Sequence, residues 1–306
     1  MAGMRIIDTV QKNILGTIGG TPLLCLDNIA GLANKKIRIF AKLEYYNPGG
    51  SVKDRAALQM IRDAEDSGQM TRDKILMDST SGNTGIAYAM IAAVRGYKAK
   101  IVLPANASIE RKKIIAGFGA EIVYSSPFEG SDGSIKLAKE IYDRDPGKYY
   151  MPDQYSNPSN WKAHYLTTGP EIIEQTKGKI THFVACVGTS GTIMGTGRSL
   201  REFNPGIRII AVEPDDAMHG IEGLKHMDSS LVPAIYDRGF PDETVHVNTD
   251  IAYDMVKRIT SCGGVPVGHS SGAAMAGALQ VAKKMDKGVI VAIFPDGGDR
   301  YLSHEI

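Results

Sequence analysis

The chain has 306 residues, enough for about two domains and a large buried core. A hydrophobic content of 43% with 23% charged residues is typical of a soluble globular protein, and a net charge of +1 does not favour binding to nucleic acid or to a membrane surface. Residues 1–11 lack the apolar core of a secretory signal, and no apolar run approaches the roughly 20 residues of a spanning helix. The three cysteines form no CxxC pair, which predicts reduced core or near-core residues in a cytoplasmic protein and no metal site.

Short apolar runs alternate with amphipathic helical patterns along the chain. We predict strands at residues 38–43, 74–78, 99–103, 121–125, 182–187, 208–212 and 289–294. We predict helices at residues 54–67, 84–95, 109–118, 134–143, 192–202 and 271–285. This order indicates an α/β fold with two parallel-rich, twisted sheets covered by helices. Residues 214–250 contain no confident strand, and so long an irregular segment is predicted to be functional.

A lysine follows a tight turn in the sequence Asn-Pro-Gly-Gly-Ser-Val-Lys-Asp-Arg at residues 47–55. Lys53 stands where this turn gives way to a predicted helix, and the positive end of a helix dipole disfavours a cation there. The conflict is relieved if the amine is neutral or forms a Schiff base with an aldehyde cofactor. The alternative is an ordinary surface turn with a solvated lysine.

Three loops rich in glycine and hydroxyl groups each lead into a predicted helix. Residues 80–85 (Thr-Ser-Gly-Asn-Thr-Gly) suit a carboxylate or phosphate, although Asn83 could be only an N-cap. Residues 188–192 (Gly-Thr-Ser-Gly-Thr) suit a phosphate without matching a dinucleotide or P-loop fingerprint; a Gly-rich packing turn is the alternative. In residues 268–274, a serine hydroxyl could hydrogen-bond to a ring nitrogen of a bound molecule. Alternatively, Ser270 or Ser271 could simply be the N-cap of the helix.

These four segments together resemble the cysteine synthase family, the β-replacement branch of the fold-type II pyridoxal phosphate enzymes with a tryptophan synthase β-like fold. Further matching segments extend over nearly the whole chain, at residues 18–23, 41–44, 108–112, 154–158, 168–171 and 299–303. In the region of residues 219–228 the chain is more similar to the B-type isozymes than to the A-type.

The resemblance implies a role for each matched position. Lys53, rather than Lys42 on a predicted buried strand, corresponds to the Schiff-base lysine that later transfers a proton. Asn83 is expected to bind the cofactor's ring hydroxyl oxygen, and Ser270 to face its pyridine nitrogen. The phosphate would be bound by Gly188, Thr189, Ser190, Gly191 and Thr192. The substrate α-carboxylate would be bound by Thr80, Ser81, Thr84 and Gln154.

The implied reaction is a β-replacement that makes L-cysteine from O-acetyl-L-serine or O-phospho-L-serine and sulfide through an α-aminoacrylate. A neutral serine at the pyridine nitrogen does not hold a proton there, which favours loss of a β-substituent over transamination. Cystathionine β-synthase-like chemistry, lanthionine formation and release of hydrogen sulfide from cysteine are alternatives on the same scaffold. For the first of these, we expect neither a C-terminal regulatory pair nor a haem-binding N-terminal extension in this chain, and forms without those parts exist in principle.

The donor and the nucleophile are expected to depend on residues 219–228. Lys225 could pair with the phosphate of O-phosphoserine, or be a solvated surface lysine. Glu222 and Asp228 could activate a water, although acidic loop residues are usually just solvated.

We predict a smaller, mobile domain at residues 48–156 and a larger cofactor-binding domain formed by residues 1–47 and 157–306. The resemblance further implies a homodimer and a possible complex with serine acetyltransferase. Two other classes fit less well. A nucleotide-binding oxidoreductase needs a strict glycine fingerprint followed by an acidic residue, which is not found. A non-catalytic scaffold relative is expected to lack Lys53 or Ser270, and both are present.

Overall fold

The structure is a computed structural model that describes residues 11–31 and 36–303. The N-terminal segment for which no secretory signal is predicted therefore lies, up to residue 10, outside the described residues. In chain order the strands are β1 (Leu23–Cys25), β2 (Ile37–Leu43), β3 (Ile75–Ser79), β4 (Lys98–Pro104), β5 (Glu121–Ser125), β6 (Tyr149–Tyr150), β7 (His182–Cys186), β8 (Arg208–Pro214), β9 (Glu243–Val247) and β10 (Gly288–Phe294). The α-helices are α1 (Asp27–Ala30), α2 (Lys53–Asp66), α3 (Asn83–Arg95), α4 (Ile109–Gly117), α5 (Gly130–Arg144), α6 (Pro158–Leu166), α7 (Thr168–Gln175), α8 (Gly191–Phe203), α9 (Thr249–Gly263) and α10 (His269–Ala282).

The strands form two separate sheets. One has six strands in the order β1-β2-β10-β7-β8-β9, and only β1 runs antiparallel to its neighbour. The other has four parallel strands in the order β5-β4-β3-β6. The predicted α/β class with two parallel-rich sheets is therefore confirmed.

Helices cover the sheets because the central strands are apolar on both faces. In β10, Ile290, Val291 and Ala292 are all fully buried although neighbouring side chains point to opposite faces. Small residues let α10 approach the sheet closely: a Cβ added to Gly277 would lie 2.6 Å from a methyl carbon of Val212. Within the described residues, no helix is long and apolar enough to span a bilayer.

Two expectations about the large sheet and the cysteines are wrong. Residues 214–250 were expected to contain no strand, but they contain β9, which pairs in parallel with β8 at the sheet edge. Its side chains alternate between exposed and buried at residues 244–247, a pattern that is easy to miss in a short edge strand. Cys25 and Cys262 are exposed rather than near the core; they and the half-buried Cys186 are free thiols.

Candidate active site

A cleft of about 420 Å³ opens where loops after the strands of both sheets meet. Residues that follow β3, β6 and β7 line it, as expected for α/β sheets, where ligands bind beyond the carboxyl ends of the strands. The structure brings most of the predicted site residues to this cleft: Lys53, Ser81, Asn83, Thr84, Gln154, Gly188, Thr189 and Lys225. A smaller cavity of about 40 Å³ adjoins it and is lined by Lys53, Asn83, Gly188, Thr192 and Ser270.

Lys53 is the first residue of α2 and is held at the end of β10. The preceding residue, Val52, donates its N–H to the carbonyl of Pro295 at 2.8 Å, and Ser51 pairs with Asp296 in an isolated bridge. The turn depends on glycine, because Gly50 has φ of +79° and an added Cβ would lie 2.0 Å from the Arg300 guanidinium. The turn and its contacts with the end of β10 place Lys53 where it lines both the cleft and the smaller cavity.

The environment of Lys53 favours its neutral amine. Burial lowers the pKa of Lys53, and the positive charge of Arg111 lowers it further, whereas the Asp296 carboxylate opposes the shift. Lys53 is also half-buried and lines both cavities, so the interpretation as a solvated surface lysine is wrong. Lys42, by contrast, is fully buried in β2 and binds Thr21 and Glu171, away from both cavities.

Asn83 and Ser270 lie inside their helices rather than capping them. The N-cap of α3 is Gly82, with φ of 141°, and the N-cap of α10 is Gly268; neither helix has a side-chain cap hydrogen bond. The capping alternatives for Asn83, Ser270 and Ser271 are therefore wrong. The side chains of Asn83 and Ser270 are consequently available to the smaller cavity, which both residues line.

The loop between β7 and α8 forms a tight turn at a helix N-terminus, a position whose free backbone N–H groups suit an anion. Ser190, the N-cap of α8, has φ of 71°, a left-handed conformation that curls the backbone before the helix begins. The Ser190 hydroxyl is buried and has no hydrogen-bond partner among the described residues. Gly188 must be glycine, because an added Cβ would lie 2.1 Å from the carbonyl oxygen of Gly223.

Hydroxyl and amide groups form the opposite wall of the cleft. Thr84 donates its hydroxyl hydrogen to Gln154 Oε1 at 2.7 Å, and Gln154 Nε2 donates to the carbonyl of Ser79 at 2.7 Å. These two bonds fix the orientation of the Gln154 amide. The Thr80 hydroxyl accepts a hydrogen bond from Gly82 N at 2.9 Å, and Thr80 is not among the described residues that line the cleft. Thr80 thus shapes the loop that presents Ser81 and Thr84.

Behind this wall, the buried Asp78 holds Gln154 and the helix α3 in place through hydrogen bonds. It accepts hydrogen bonds from the Tyr88 hydroxyl at 3.0 Å and from Gln154 N at 3.3 Å. Burial raises the pKa of Asp78 to about 7, although the hydrogen bonds it accepts oppose the shift.

Asp296 orients the amide of Asn83. Its Oδ2 accepts from Asn83 Nδ2 at 2.7 Å and from the Tyr301 hydroxyl at 2.8 Å. The Asn83 amide nitrogen is the donor in this contact, so it points toward Asp296. Sequence reasoning did not select Asp296, although its place just after a central parallel strand was a usable signal.

Two ion pairs join the loop that precedes β9 to the helices α4 and α5. Arg111 of α4 binds Glu222, and Asp132 of α5 binds Lys225 at 2.8 Å. The Lys225 side chain is only 4% exposed, so the solvated alternative for it is wrong. Arg111 and Asp132 were not predicted as site residues, because their partners are far away in sequence.

The two acidic candidates of this loop differ in position. Glu222 lines the cleft and carries the ion pair with Arg111. Asp228 is exposed, binds Arg238 at 2.7 Å and is not among the described residues of the cleft. The idea that Asp228 activates a water in this cleft is therefore wrong.

The residues present fit pyridoxal phosphate. A lysine with a lowered pKa, an anion-binding turn with an unpartnered buried hydroxyl, and a slot lined by Asn83 and Ser270 match its aldehyde, phosphate and ring. The Asn83 Oδ1 atom is likewise buried without a hydrogen-bond partner among the described residues. Fold and site together fit an α/β enzyme with a phosphorylated aldehyde cofactor, with a lysine placed where the loops of the two sheets meet.

Comparison with known proteins agrees with this class. The family model described as pyridoxal-phosphate dependent enzyme matches residues 14–296. The chain is 50% identical to cysteine synthase of Aquifex aeolicus over 301 residues, covering 96% of this chain and 91% of that protein. It is 43% identical to cysteine synthase B of Escherichia coli over 287 residues, covering 94% of this chain and 93% of that protein.

A solved structure shows the same likeness. The crystal structure of cysteine synthase from Entamoeba histolytica matches with a TM-score of 0.92 at 38% identity, covering 99% of this chain and 92% of that one. The chain belongs to the pyridoxal-phosphate dependent enzymes and, within them, to the cysteine synthases. The resemblance noted in the sequence is thereby confirmed, as are the cofactor and the synthesis of cysteine.

Proposed function

We propose that the chain makes L-cysteine from O-acetyl-L-serine and sulfide, with Lys53 as the residue that holds the cofactor and moves the Cα proton. The Cβ–O bond of the donor breaks and its electron pair leaves with acetate; hydrosulfide then supplies the pair for the Cβ–S bond. When bound, pyridoxal phosphate withdraws electrons from the amino acid and makes the Cα proton acidic. The observation that carries this proposal is the lowered pKa of Lys53 in a cavity that Asn83 and Ser270 also line.

The proposed roles of the surrounding residues follow from their contacts. The turn at Gly188–Thr192 binds the cofactor phosphate with backbone N–H groups and hydroxyls, because the N-terminus of α8 attracts negative charge. Ser270 offers a neutral hydroxyl to the ring nitrogen, and Asn83, held by Asp296, faces the ring hydroxyl. Lys53 Nζ, whose pKa is lowered by desolvation, accepts the Cα proton and later returns it.

The substrate carboxylate is proposed to bind to Ser81, Thr84 and Gln154, with Thr80 shaping the loop. Thr84 and Gln154 already hold each other, so little ordering remains when the carboxylate binds. The proposed smaller domain, residues 48–156, contributes this wall, and the remainder of the chain contributes the phosphate turn and Ser270. Closure of the two parts would exclude water from the reacting groups.

The donor is proposed to be the O-acetyl ester because the amine of Lys225 is already occupied by Asp132. A phosphate ester would need that amine free.

A homodimer, a cytoplasmic location and a complex with serine acetyltransferase remain predictions from the family resemblance. Sedimentation of the purified protein measures whether it is a homodimer.

The experiment that tests the central role is borohydride reduction followed by peptide mapping. In the wild type, reduction should attach the cofactor to the peptide that contains Lys53 and bleach the visible absorbance. Lys53→Ala should carry no such adduct and should make no cysteine, whereas Lys136→Ala, which removes an exposed lysine, should behave as the wild type. An adduct on another lysine, or cysteine formation by Lys53→Ala, contradicts the proposal.

A further inference from the structure

Two ion pairs join residues 222–225, at one end of the cleft, to the helices of the four-stranded sheet. Glu222 pairs with Arg111, and Lys225 pairs with Asp132. The segment itself is fixed to the phosphate turn, because Lys225 N donates to the carbonyl of Val187 at 3.0 Å. The charges of Glu222 and Lys225 are therefore opposed by partners on those helices, and Glu129 is a further acidic residue of the cleft lining.

Two hydrogen bonds hold the Asp132 carboxylate next to the Lys225 amine. Its Oδ1 accepts from Lys225 Nζ at 2.8 Å, and its Oδ2 accepts from the backbone N–H of Leu231 at 3.3 Å. The Lys225 ammonium also lies 5.3 Å from the centre of the Tyr155 ring, which holds it from another side. Lys225, Asp132 and Tyr155 all line the cleft that contains Lys53.

Under the proposed function, the two ends of the donor would meet different groups in this cleft. The proposed carboxylate site uses the neutral side chains Ser81, Thr84 and Gln154, so it does not depend on the pair. The donor's β-substituent is the part whose charge varies: an acetyl ester is neutral, whereas a phosphate monoester carries about −1.5 to −2 charges at pH 7. A phosphate that approaches Lys225 meets the Asp132 carboxylate at the same point, and like charges at such short range repel strongly.

We propose that Asp132 determines the donor's leaving group: by neutralising Lys225 it favours a neutral acyl ester and disfavours a phosphate ester. This inference rests on the proposed function, since it concerns the donor of that same reaction. Asp132 acts on the substrate through the charge next to Lys225 and takes no part in the proton transfer by Lys53.

The test compares kcat/KM for O-acetylserine and O-phosphoserine, each with sulfide, in the wild type and three variants. Asp132→Asn keeps the shape of the side chain but leaves the Lys225 charge unpaired, so the ratio of phosphoserine to acetylserine use should rise by about tenfold or more. Lys225→Met leaves the Asp132 charge unpaired and should lower the ratio below the wild-type value. When Asp132→Asn is combined with Lys225→Met, the rise in the ratio of O-phosphoserine to O-acetylserine use should disappear.

Asp228→Asn is the matched control, because it breaks an ion pair of the same loop outside the cleft and should leave the ratio unchanged. A second readout is inhibition by inorganic phosphate in competition with O-acetylserine, which should strengthen in Asp132→Asn and weaken in Lys225→Met. This measurement remains informative where a variant is too slow with O-phosphoserine.

The outcomes separate the two proposals. If Asp132→Asn shows the wild-type ratio and wild-type inhibition by phosphate, or if its gain survives Lys225→Met, the role of Asp132 is refuted while the proposed function stands. If the wild type makes no cysteine from O-acetylserine, the proposed function fails whatever the variants show.

Discussion

Replacing Arg55 by methionine should destabilise the protein strongly, because it leaves the buried Glu44 carboxylate without its ion-pair partner. Arg55 is the third residue of α2, which begins with Lys53, and its side chain is 2% exposed. Its Nε donates to Glu44 at 2.7 Å and its Nη1 donates to Glu171 at 2.6 Å. Glu44 is completely buried; burial raises its pKa, but Arg55 beside it lowers that pKa below its ordinary value.

The expected loss follows from leaving one member of a buried pair without its partner, which typically costs about 3–5 kcal/mol. The matched control is Arg38→Met, which breaks an ion pair with Asp27 in which the side chains are 47% and 36% exposed. Exposed pairs contribute about 0–1 kcal/mol, so the control should lie close to the wild type.

Unfolding in urea measures this difference, with the fluorescence of Trp161, the only tryptophan in the chain, as the probe. Adding Glu44→Gln to Arg55→Met should recover part of the loss, since it removes the uncompensated charge. An Arg55→Met variant that loses no more stability than Arg38→Met would refute the reasoning. If Arg55→Met with Glu44→Gln is as unstable as Arg55→Met alone, the loss of stability comes from packing rather than from the uncompensated charge.

Three further outcomes follow from the site. Gly188→Ala should weaken cofactor binding, measured by titrating the apoenzyme with pyridoxal phosphate, because its Cβ would clash with the carbonyl of Gly223. Gly117→Ala, whose Cβ would meet nothing within 4 Å, should leave binding unchanged. Gln154→Ala should raise KM for O-acetylserine by about tenfold or more, with KM for sulfide little changed, since a hydrogen bond to a charged group is worth about 1.5–3 kcal/mol. Burial raises the pKa of Asp78 to about 7 in the folded state. Its stabilising contribution is therefore complete below about pH 4 and is lost as pH rises toward 7, so Asp78→Asn should flatten the fall in unfolding free energy over that window.

The alternation of elements was readable from the sequence because strand and helix periods are local properties. The strand predicted at residues 121–125 coincides with β5, and the helix predicted at residues 109–118 differs from α4 by one residue. Lys53 was also recognisable, since a lysine at a helix start after a Pro-Gly-Gly turn is locally unfavourable unless it has a special role. Local patterns failed for β9, a short edge strand whose apolar residues are too few to show a period.

The tertiary structure decided which groups meet and how charged they are. The sheet order sets β10 between β2 and β7, which brings Asp296 next to Asn83, 213 positions away. Lys225 looked like a free cation in the sequence, and only folding gave it Asp132, 93 positions away, as a partner. The physical reason is that periodicity and turn chemistry act between near neighbours, whereas burial and charge pairing depend on which segments the sheets bring together.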